Sequence, residues 1–337
     1  MYITKASHFV PEAVLTNEMF ESYLKTSDEW IVKRTGIRQR RTATLECSSR
    51  PMRYMAEESV KKLCLTDTER TEIKHIVFAS GLAEENYPNI GNYIAQTFSI
   101  KAPGIRVNSA CSSLISGMKF SKSLTDDGDV LLVCSESFTS IGDYSDKSSC
   151  VLLGDGACAF LLSSTTGKHH VGNIELSGFG SSIINTGAPG ERPKTTILDF
   201  CAKVYPSLSR EMFSSFEHFP SYGSFSQNGK EVYKTILTDI PLLLKEKLAR
   251  LSMNPSDTYF IGHQANLRML EKIAERTGFA KEKHLHNVSK YGNTGSAGCG
   301  IVLSEHIEKE TMQKDEKLVL SAFGAGIVYG TAIITKT

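Results

Sequence analysis

The sequence predicts an α/β fold, on three observations. Short β-rich runs alternate with helical stretches along the chain, the pattern of strands joined through covering helices. The chain also rhymes with itself: a strand, Gly154-Asp155-Gly156-Ala157 and the strand CAFLLSS are answered by a strand, Phe323-Gly324-Ala325-Gly326 and the strand IVYGTAII. Each phrase follows a strand–turn–helix unit, one holding Cys111 and the other Asn293. Two similar α/β halves are therefore expected, 1–167 and 168–337, joined near 164–172. Finally, 337 residues at 40% hydrophobic and 22% charged can bury a large core without disulfides or metals.

In chain order, β-rich runs predict strands at Ile73–Ser80, Ile105–Asn108, Val130–Ser135, Val151–Leu153, Ala157–Ser163 and Thr258–Gly262. Helices are expected over 51–63, 88–98, 112–124, 231–250, 266–277 and 294–308. In 231–250, Val232, Ile236, Ile240, Leu243, Leu244 and Leu248 share one face, and Pro241 is expected to kink the helix. Residues 318–335 carry no charge over about the length of a bilayer span. Their Gly-Ala-Gly centre reads instead as a turn between two buried strands, so no membrane span is expected. An aromatic-rich insert occupies about 185–228 of the second half, crowding rings from Phe200 to Phe225. It reads either as a capping subdomain with its own ring core or as a lid over an apolar substrate pocket.

The 38 basic and 37 acidic side chains leave a net charge of +1, which excludes the global basic field of a nucleic-acid binder. Eight cysteines contain no C-x-x-C pair, so zinc ribbons and dithiol redox motifs find no support. The first residues include Lys5, His8, Pro11 and Glu12 in place of an apolar signal core; reduced thiols in the cytoplasm are expected. Locally, Lys33, Arg34, Arg38, Arg40 and Arg41 cluster without an acid among them, just after Trp30, the single tryptophan. The cluster reads as a phosphate-holding patch beside a base-stacking ring, or as a solvated basic helix end.

Three turns carry candidate chemistry. Cys111 lies between an apolar strand and a helix bearing Leu114, Ile115 and Met118. At that helix N-terminus, amides and the macrodipole favour a thiolate nucleophile; a buried structural thiol is the alternative. His263 ends a strand at Gly262-His-Gln-Ala-Asn266, placed for proton or hydrogen-bond work or for a structural role. Asn293, among glycines 292, 295 and 298, can donate to a developing oxyanion or cap the following helix. His284 and His286 lack a third metal ligand nearby, so no metal is expected. Gly154-Asp-Gly156-Ala-Cys-Ala159 matches a dinucleotide loop in spacing, but a strand follows it where a helix is needed.

Taken in order, TSDEWIVKRTGIRQRR (26–41), Ala110-Cys111, GDGA (154–157), HQANLR (263–268), YGNTGSA (291–297) and FGAG (323–326) resemble the β-ketoacyl-acyl-carrier-protein synthase III family of the thiolase superfamily. The resemblance implies a thiolase-like five-layered αβαβα fold with two pseudo-repeated halves, and a homodimer. It implies a catalytic triad of Cys111, His263 and Asn293, with an oxyanion hole from the Cys111 and Ala325 backbone. Acyl transfer to Cys111 would be followed by decarboxylative condensation with malonyl-acyl carrier protein, in fatty acid or specialised-metabolite biosynthesis. Coenzyme A or carrier thioesters would be substrates, and no cofactor would be needed. Trp30, Arg34, Lys147 and Asn266 resemble substrate contacts, Tyr87 a residue bounding the acyl pocket, and Arg268 with Lys272 a docking point for the acidic carrier. Acyl transfer without decarboxylation is an alternative that Asn293 argues against, and a silent partner subunit is one that the intact triad argues against. Departures from the family pattern are Lys147 in place of Arg, which offers no planar guanidinium to stack, Cys111-Ser-Ser where a Gly is frequent, Gly300 where Pro is common, and a longer aromatic insert. They imply a specialised synthase loading an unusual or longer acyl chain.

Overall fold

The structure, a computed structural model, describes residues 1–47, 49–82, 88–186, 193–205 and 224–337. Its strands are β1 (Tyr2–Phe9), β2 (Val14–Thr16), β3 (Gln39–Arg41), β4 (Ile73–Ala79), β5 (Gly104–Val107), β6 (Asp129–Ser137), β7 (Asp155–Ser163), β8 (His169–Ser181), β9 (Ile184–Thr186), β10 (Phe225–Gln227), β11 (Tyr259–Gly262), β12 (Lys317–Gly324) and β13 (Gly326–Lys336). Nine of them hydrogen-bond in the order β11-β12-β13-β8-β1-β7-β6-β4-β5. Read outward from the β1–β8 seam, each half repeats one scheme. β1 and β7, then β7 and β6, pair antiparallel, and β6 and β4 pair parallel. In the second half β8 and β13, then β13 and β12, pair antiparallel, and β12 and β11 pair parallel. A parallel bridge between Phe260 and His284 stands where β5 stands in the first half. The seam itself is thin, joined at Tyr2–His170 and Ile3–His169.

The helices supply the remaining layers. Ser113–Leu124 and Ala297–Glu308 lie in the middle and touch strands of both halves. The approach is close enough to demand small residues. A Cβ on Gly117 would sit 2.7 Å from the Ala79 Cβ, and one on Gly300 2.3 Å from the Cys158 sulfur. Pro51–Lys61 and Ile90–Thr97 cover the first half from outside, and Gly229–Arg250 with Leu267–Thr277 cover the second. Covered on both faces, β7 is buried along its whole length. Among the described residues no helix is long and apolar enough to cross a membrane, and the uncharged C-terminal run is the hairpin β12–β13.

All six expected helices form. The Gly229–Arg250 helix runs unbroken through Pro241, burying Val232, Ile236, Ile240, Leu244 and Leu248 as the periodicity predicts. The strand expected at Val151–Leu153 does not form. Cys150–Leu152 is a single 3-10 turn, held by Leu152 N–H to Ser149 O (3.0 Å) and Leu153 N–H to Cys150 O (3.3 Å). Two strands of the nine-stranded sheet escaped the pattern reading: β1, and the 13-residue β8, which begins inside the expected 164–172 joint; so did the short strands β2, β3, β9 and β10 outside it. β1 and β8 mix polar residues or glycines into their runs, because their pairing partners rather than continuous apolar character hold them. At the described ends of the aromatic insert, Phe200 packs into the core on Phe20 (4.7 Å between centroids) and Tyr144 (4.9 Å). Phe225 instead lines a cavity described below. Phe213, Phe216, Phe219 and Tyr222 lie outside the described residues.

Candidate active site

The turn from β5 into the Ser113–Leu124 helix is built by its own polar residues. Ala110 adopts a left-handed φ of +51°, a conformation that costs about 1–2 kcal/mol for a residue with a Cβ. Local hydrogen bonds hold it there. Ala110 N–H donates to Asn108 Oδ1 (2.9 Å) and Ser109 N–H to Ser113 Oγ (2.9 Å). Ser112 N–H reaches Ser109 O (3.2 Å) and Ser113 N–H reaches Ala110 O (3.0 Å). The serines that flank the nucleophile candidate are therefore its scaffold. Cys111 is carried to the helix N-terminus, as expected, but its burial works against the expected thiolate. Burial pushes the thiol well above its ordinary value, and the Glu136 carboxylate and Cys299 add to the rise. Desolvation, the largest of these causes, favours the thiol over the thiolate.

His263 follows β11 and is 4% exposed. The adjoining Gln264 pins its turn, donating to Gly262 O (2.6 Å) and accepting from the Asn287 (3.0 Å) and Val288 (3.2 Å) N–H groups. The Phe323 ring packs edge-on against the imidazole, 4.8 Å between centroids. Burial lowers the His263 pKa to about 4, so the ring is neutral near pH 7, and its buried Nδ1 has no partner among the described residues. Asn293 is stitched to the first half through its backbone: its N–H donates to Leu152 O (2.7 Å) and its carbonyl accepts from Gly154 N–H (2.9 Å). Its Oδ1 accepts from Gly295 N–H (3.0 Å), which leaves the amide NH2 as the free donor. The cap of the following helix is Ser296, so the capping alternative for Asn293 falls away.

The FGAG turn closes on the nucleophile. A Cβ on Gly324 would meet the Cys111 nitrogen at 2.6 Å, so only glycine fits there. Ala325 alone joins β12 to β13, ahead of Gly326 at φ +76°. Cys111, His263, Asn293, Phe323 and Gly324 line a single cavity of about 1050 Å³. Apolar side chains, Val151, Leu152, Ile184, Phe225 and Val232, form part of its wall. Lys33, Arg34, Lys147, Lys230, Arg268 and Lys272 also line it, with no carboxylate among the described lining residues. Trp30 stands among them with two cations on its ring, Arg34 at 5.1 Å and Lys147 at 5.0 Å from the centroid. Lys147 is steadied there by donating to Lys25 O (2.6 Å).

Most residues singled out from the sequence thus converge, with corrections. Arg40 leaves the basic cluster: it is wholly buried, donating to Leu15 O (3.1 Å) and Asn17 Oδ1 (2.8 Å), with its guanidinium 4.6 Å over the Phe20 ring. Arg41 is spent on Pro11 O (3.2 Å) and Glu12 O (2.9 Å). Of that cluster, Lys33 and Arg34 reach the cavity. Asn266 caps the Leu267–Thr277 helix through Met269 N–H (3.2 Å) and donates to Arg34 O (3.2 Å). Arg268 is half-engaged by Glu271 (3.0 Å) and Val32 O (3.3 Å), while Lys272 is exposed. Tyr87 lies outside the described residues. In the GDGA segment Asp155 begins β7 and is buried under Thr139 N–H (2.8 Å) and Ala43 N–H (2.9 Å), so the dinucleotide-loop spacing encodes a structural carboxylate. His284 and His286 face each other at 5.0 Å, and no metal-holding group of three ligands occurs among the described residues. Pattern reading named Phe323 only as part of the FGAG turn, and it missed Lys230, whose sequence signal is a basic helix start.

Two family models match the chain, 3-oxoacyl-[acyl-carrier-protein] synthase III over residues 105–180 and its C-terminal counterpart over residues 248–336. The β-ketoacyl-[acyl-carrier-protein] synthase III 2 of Staphylococcus epidermidis is 31% identical over 99% of this chain and 98% of its own length. The crystal structure of the β-ketoacyl-[acyl-carrier-protein] synthase III of Thermus thermophilus superposes with a TM-score of 0.83 at 26% identity, covering 99% of both chains. The priming β-ketosynthase of the R1128 polyketide pathway matches in fold, with a TM-score of 0.80 at 20% identity over 99% of this chain and 96% of its own.

Proposed function

The chain belongs to the 3-oxoacyl-[acyl-carrier-protein] synthase III family, and from that membership and the cavity we propose that it is a β-ketoacyl synthase condensing an acyl thioester with malonyl-acyl carrier protein. The observation that carries this reading is the convergence of Cys111, His263 and Asn293, from three distant turns, on one cavity whose FGAG turn packs on the Cys111 amide.

In the first half-reaction the neutral imidazole of His263 takes the thiol proton as the Cys111 sulfur attacks the acyl carbonyl. The tetrahedral oxyanion is held by the Cys111 and Ala325 N–H groups. On collapse the carbon–sulfur bond to the carrier breaks, the proton returns to the departing thiolate, and an acyl-cysteine remains. Malonyl-carrier thioester then binds with its carbonyl oxygen facing the His263 N–H and the Asn293 amide. The bond to the carboxylate breaks, carbon dioxide leaves, and the electron pair forms an enolate held by those donors. Its carbon attacks the acyl-cysteine, expelling the Cys111 thiolate, which recovers a proton. The product is a β-ketoacyl thioester, and the balance closes without a redox step. Six cations along the cavity suit the phosphate of a phosphopantetheine arm and the surface of an acidic carrier.

The locked amide of Asn293 favours decarboxylation over simple acyl transfer, because its free donor is the group an enolate oxygen needs. Incubating the protein with acyl-coenzyme A and acyl-carrier thioesters and weighing it intact tests the first half. An acyl mass that vanishes in Cys111→Ala is expected, and its absence from the wild type would overturn the nucleophile. Acyl transfer with no carbon dioxide released from malonyl carrier would replace condensation by transfer.

A further inference from the structure

Glu136, the penultimate residue of β6, is wholly buried, and nothing in the reaction above uses it. Its Oε1 accepts from Gly81 N–H (2.6 Å) and from the Ser296 hydroxyl (2.6 Å), and its Oε2 from Leu82 N–H (3.3 Å). These donors belong to segments that back the two catalytic turns. Gly81 lies against the nucleophile turn: a Cβ there would come within 3.2 Å of the Ala110 Cα, and its carbonyl accepts from Asn108 Nδ2 (3.3 Å). Ser296 adjoins Gly295, whose N–H fixes Asn293 Oδ1. A Cβ on Gly295 would lie 3.0 Å from the Glu136 Cγ, so the carboxyl arm also fills the floor of the Asn293 turn.

We propose that Glu136 is a positioning residue that sets the spacing between Cys111 and Asn293, tying the nucleophile turn of one half to the donor turn of the other. The inference rests on the reading under Proposed function. The chemistry of the side chain suits the task. Three donors converge on it, and a carboxyl group meets them with two acceptor oxygens. Glutamine would turn an NH2 toward the Gly81 or the Leu82 N–H, and aspartate falls short by one methylene, about 1.5 Å. Either change lets the two turns move relative to one another, and a displacement of about 1 Å at reacting groups costs on the order of 10²-fold in rate.

The test uses the full chain as Glu136→Gln, Glu136→Asp and Ser296→Ala. Acyl loading of Cys111 is followed by intact mass, and carbon dioxide release from malonyl carrier by the acylated protein. Glu136→Gln is expected to lower kcat of both half-reactions by about 10²-fold, with KM for each thioester within about twofold of wild type. Ser296→Ala, which cuts only the second-half tie, is expected to slow carbon dioxide release while acyl loading is kept. A folded Glu136→Gln with wild-type kcat, or a loss confined to KM, overturns the proposal. Should neither Glu136 variant fold, Ser296→Ala decides: unchanged carbon dioxide release overturns it. Wild type is the control for the reading beneath, since a wild type that neither loads acyl groups nor releases carbon dioxide refutes the synthase assignment itself.

Discussion

In the first half, β6 leaves the sheet at Ser137 and β7 does not begin until Asp155. The excursion between them carries Lys147, Val151 and Leu152 into the cavity. In the second half the equivalent connection, from β12 to β13, is Ala325 alone, and it closes against the nucleophile. The turns after the parallel strands differ in the same way. After β4 comes Gly81, which works through its backbone against Ala110, whereas after β11 comes His263, which works through its ring. One topology therefore brings the same set of turns to one place, and the residues at each turn decide whether it contributes a wall, an amide or a reacting side chain. The first half supplies a nucleophile and much of the wall. The second supplies donors held rigid by tight glycine turns.

If that division is right, substitutions in the two halves will fail differently. The largest loss belongs to Cys111→Ala, which should abolish acyl loading by more than about 10³-fold as read by intact mass. Asn293→Asp keeps the Oδ1 that Gly295 needs but removes the donor. It should cut carbon dioxide release by about 10²–10³-fold while acyl loading changes little; equal loss in both steps would break the separation. At the cavity mouth, Lys147→Arg offers a planar guanidinium in place of a point charge on Trp30. Coenzyme A should then bind several-fold more tightly by calorimetry, and unchanged binding would remove Lys147 from donor recognition. In the middle layer, Gly300→Ala puts a methyl onto the Cys158 sulfur. It should cost about 1–3 kcal/mol in denaturant unfolding.

A pH dependence with opposite signs at His263 and Asp155 is the last effect. The His263 pKa falls from 6.5 to about 4 on folding. Below pH 6.5 the unfolded chain takes the proton first, so stability is present above 6.5 and is lost at about 1.4 kcal/mol per pH unit down toward 4. His263→Asn should flatten that acid limb in unfolding measured from pH 7 to 5. Asp155, in the first half, is raised by burial from 3.8 to about 6, so its contribution runs the other way and fades as pH rises through 6. An acid limb unchanged in His263→Asn would show that His263 does not set it.

Periodicity and turn residues carried much of this protein in the sequence alone. The 3.6-residue spacing of Val232, Ile236, Ile240, Leu244 and Leu248 specified a helix that forms through Pro241. Gly324 and Gly326 specified the hairpin, and the ordered motifs around Cys111, His263 and Asn293 named side chains that do share a cavity. Those signals are local, because turn geometry, helical faces and glycine requirements act over a few residues. What the tertiary structure decided depends on partners far along the chain. Arg40 reads as one of five clustered cations until Leu15 O, Asn17 and the carbonyl of Val151 remove it from solvent. The β1 and β8 strands exist because they pair with each other and with β7 and β13. Cys111 reads as a thiolate from its helix end, whereas desolvation in the assembled site raises its pKa and favours the thiol. Glu136 has no local signature at all, since its donors lie 54 to 160 residues away. Sequence alone determined which groups are offered at each turn; the packed fold determined which of them stay charged, and how far apart they stand, because burial and long-range hydrogen bonds act between turns that the chain keeps far apart.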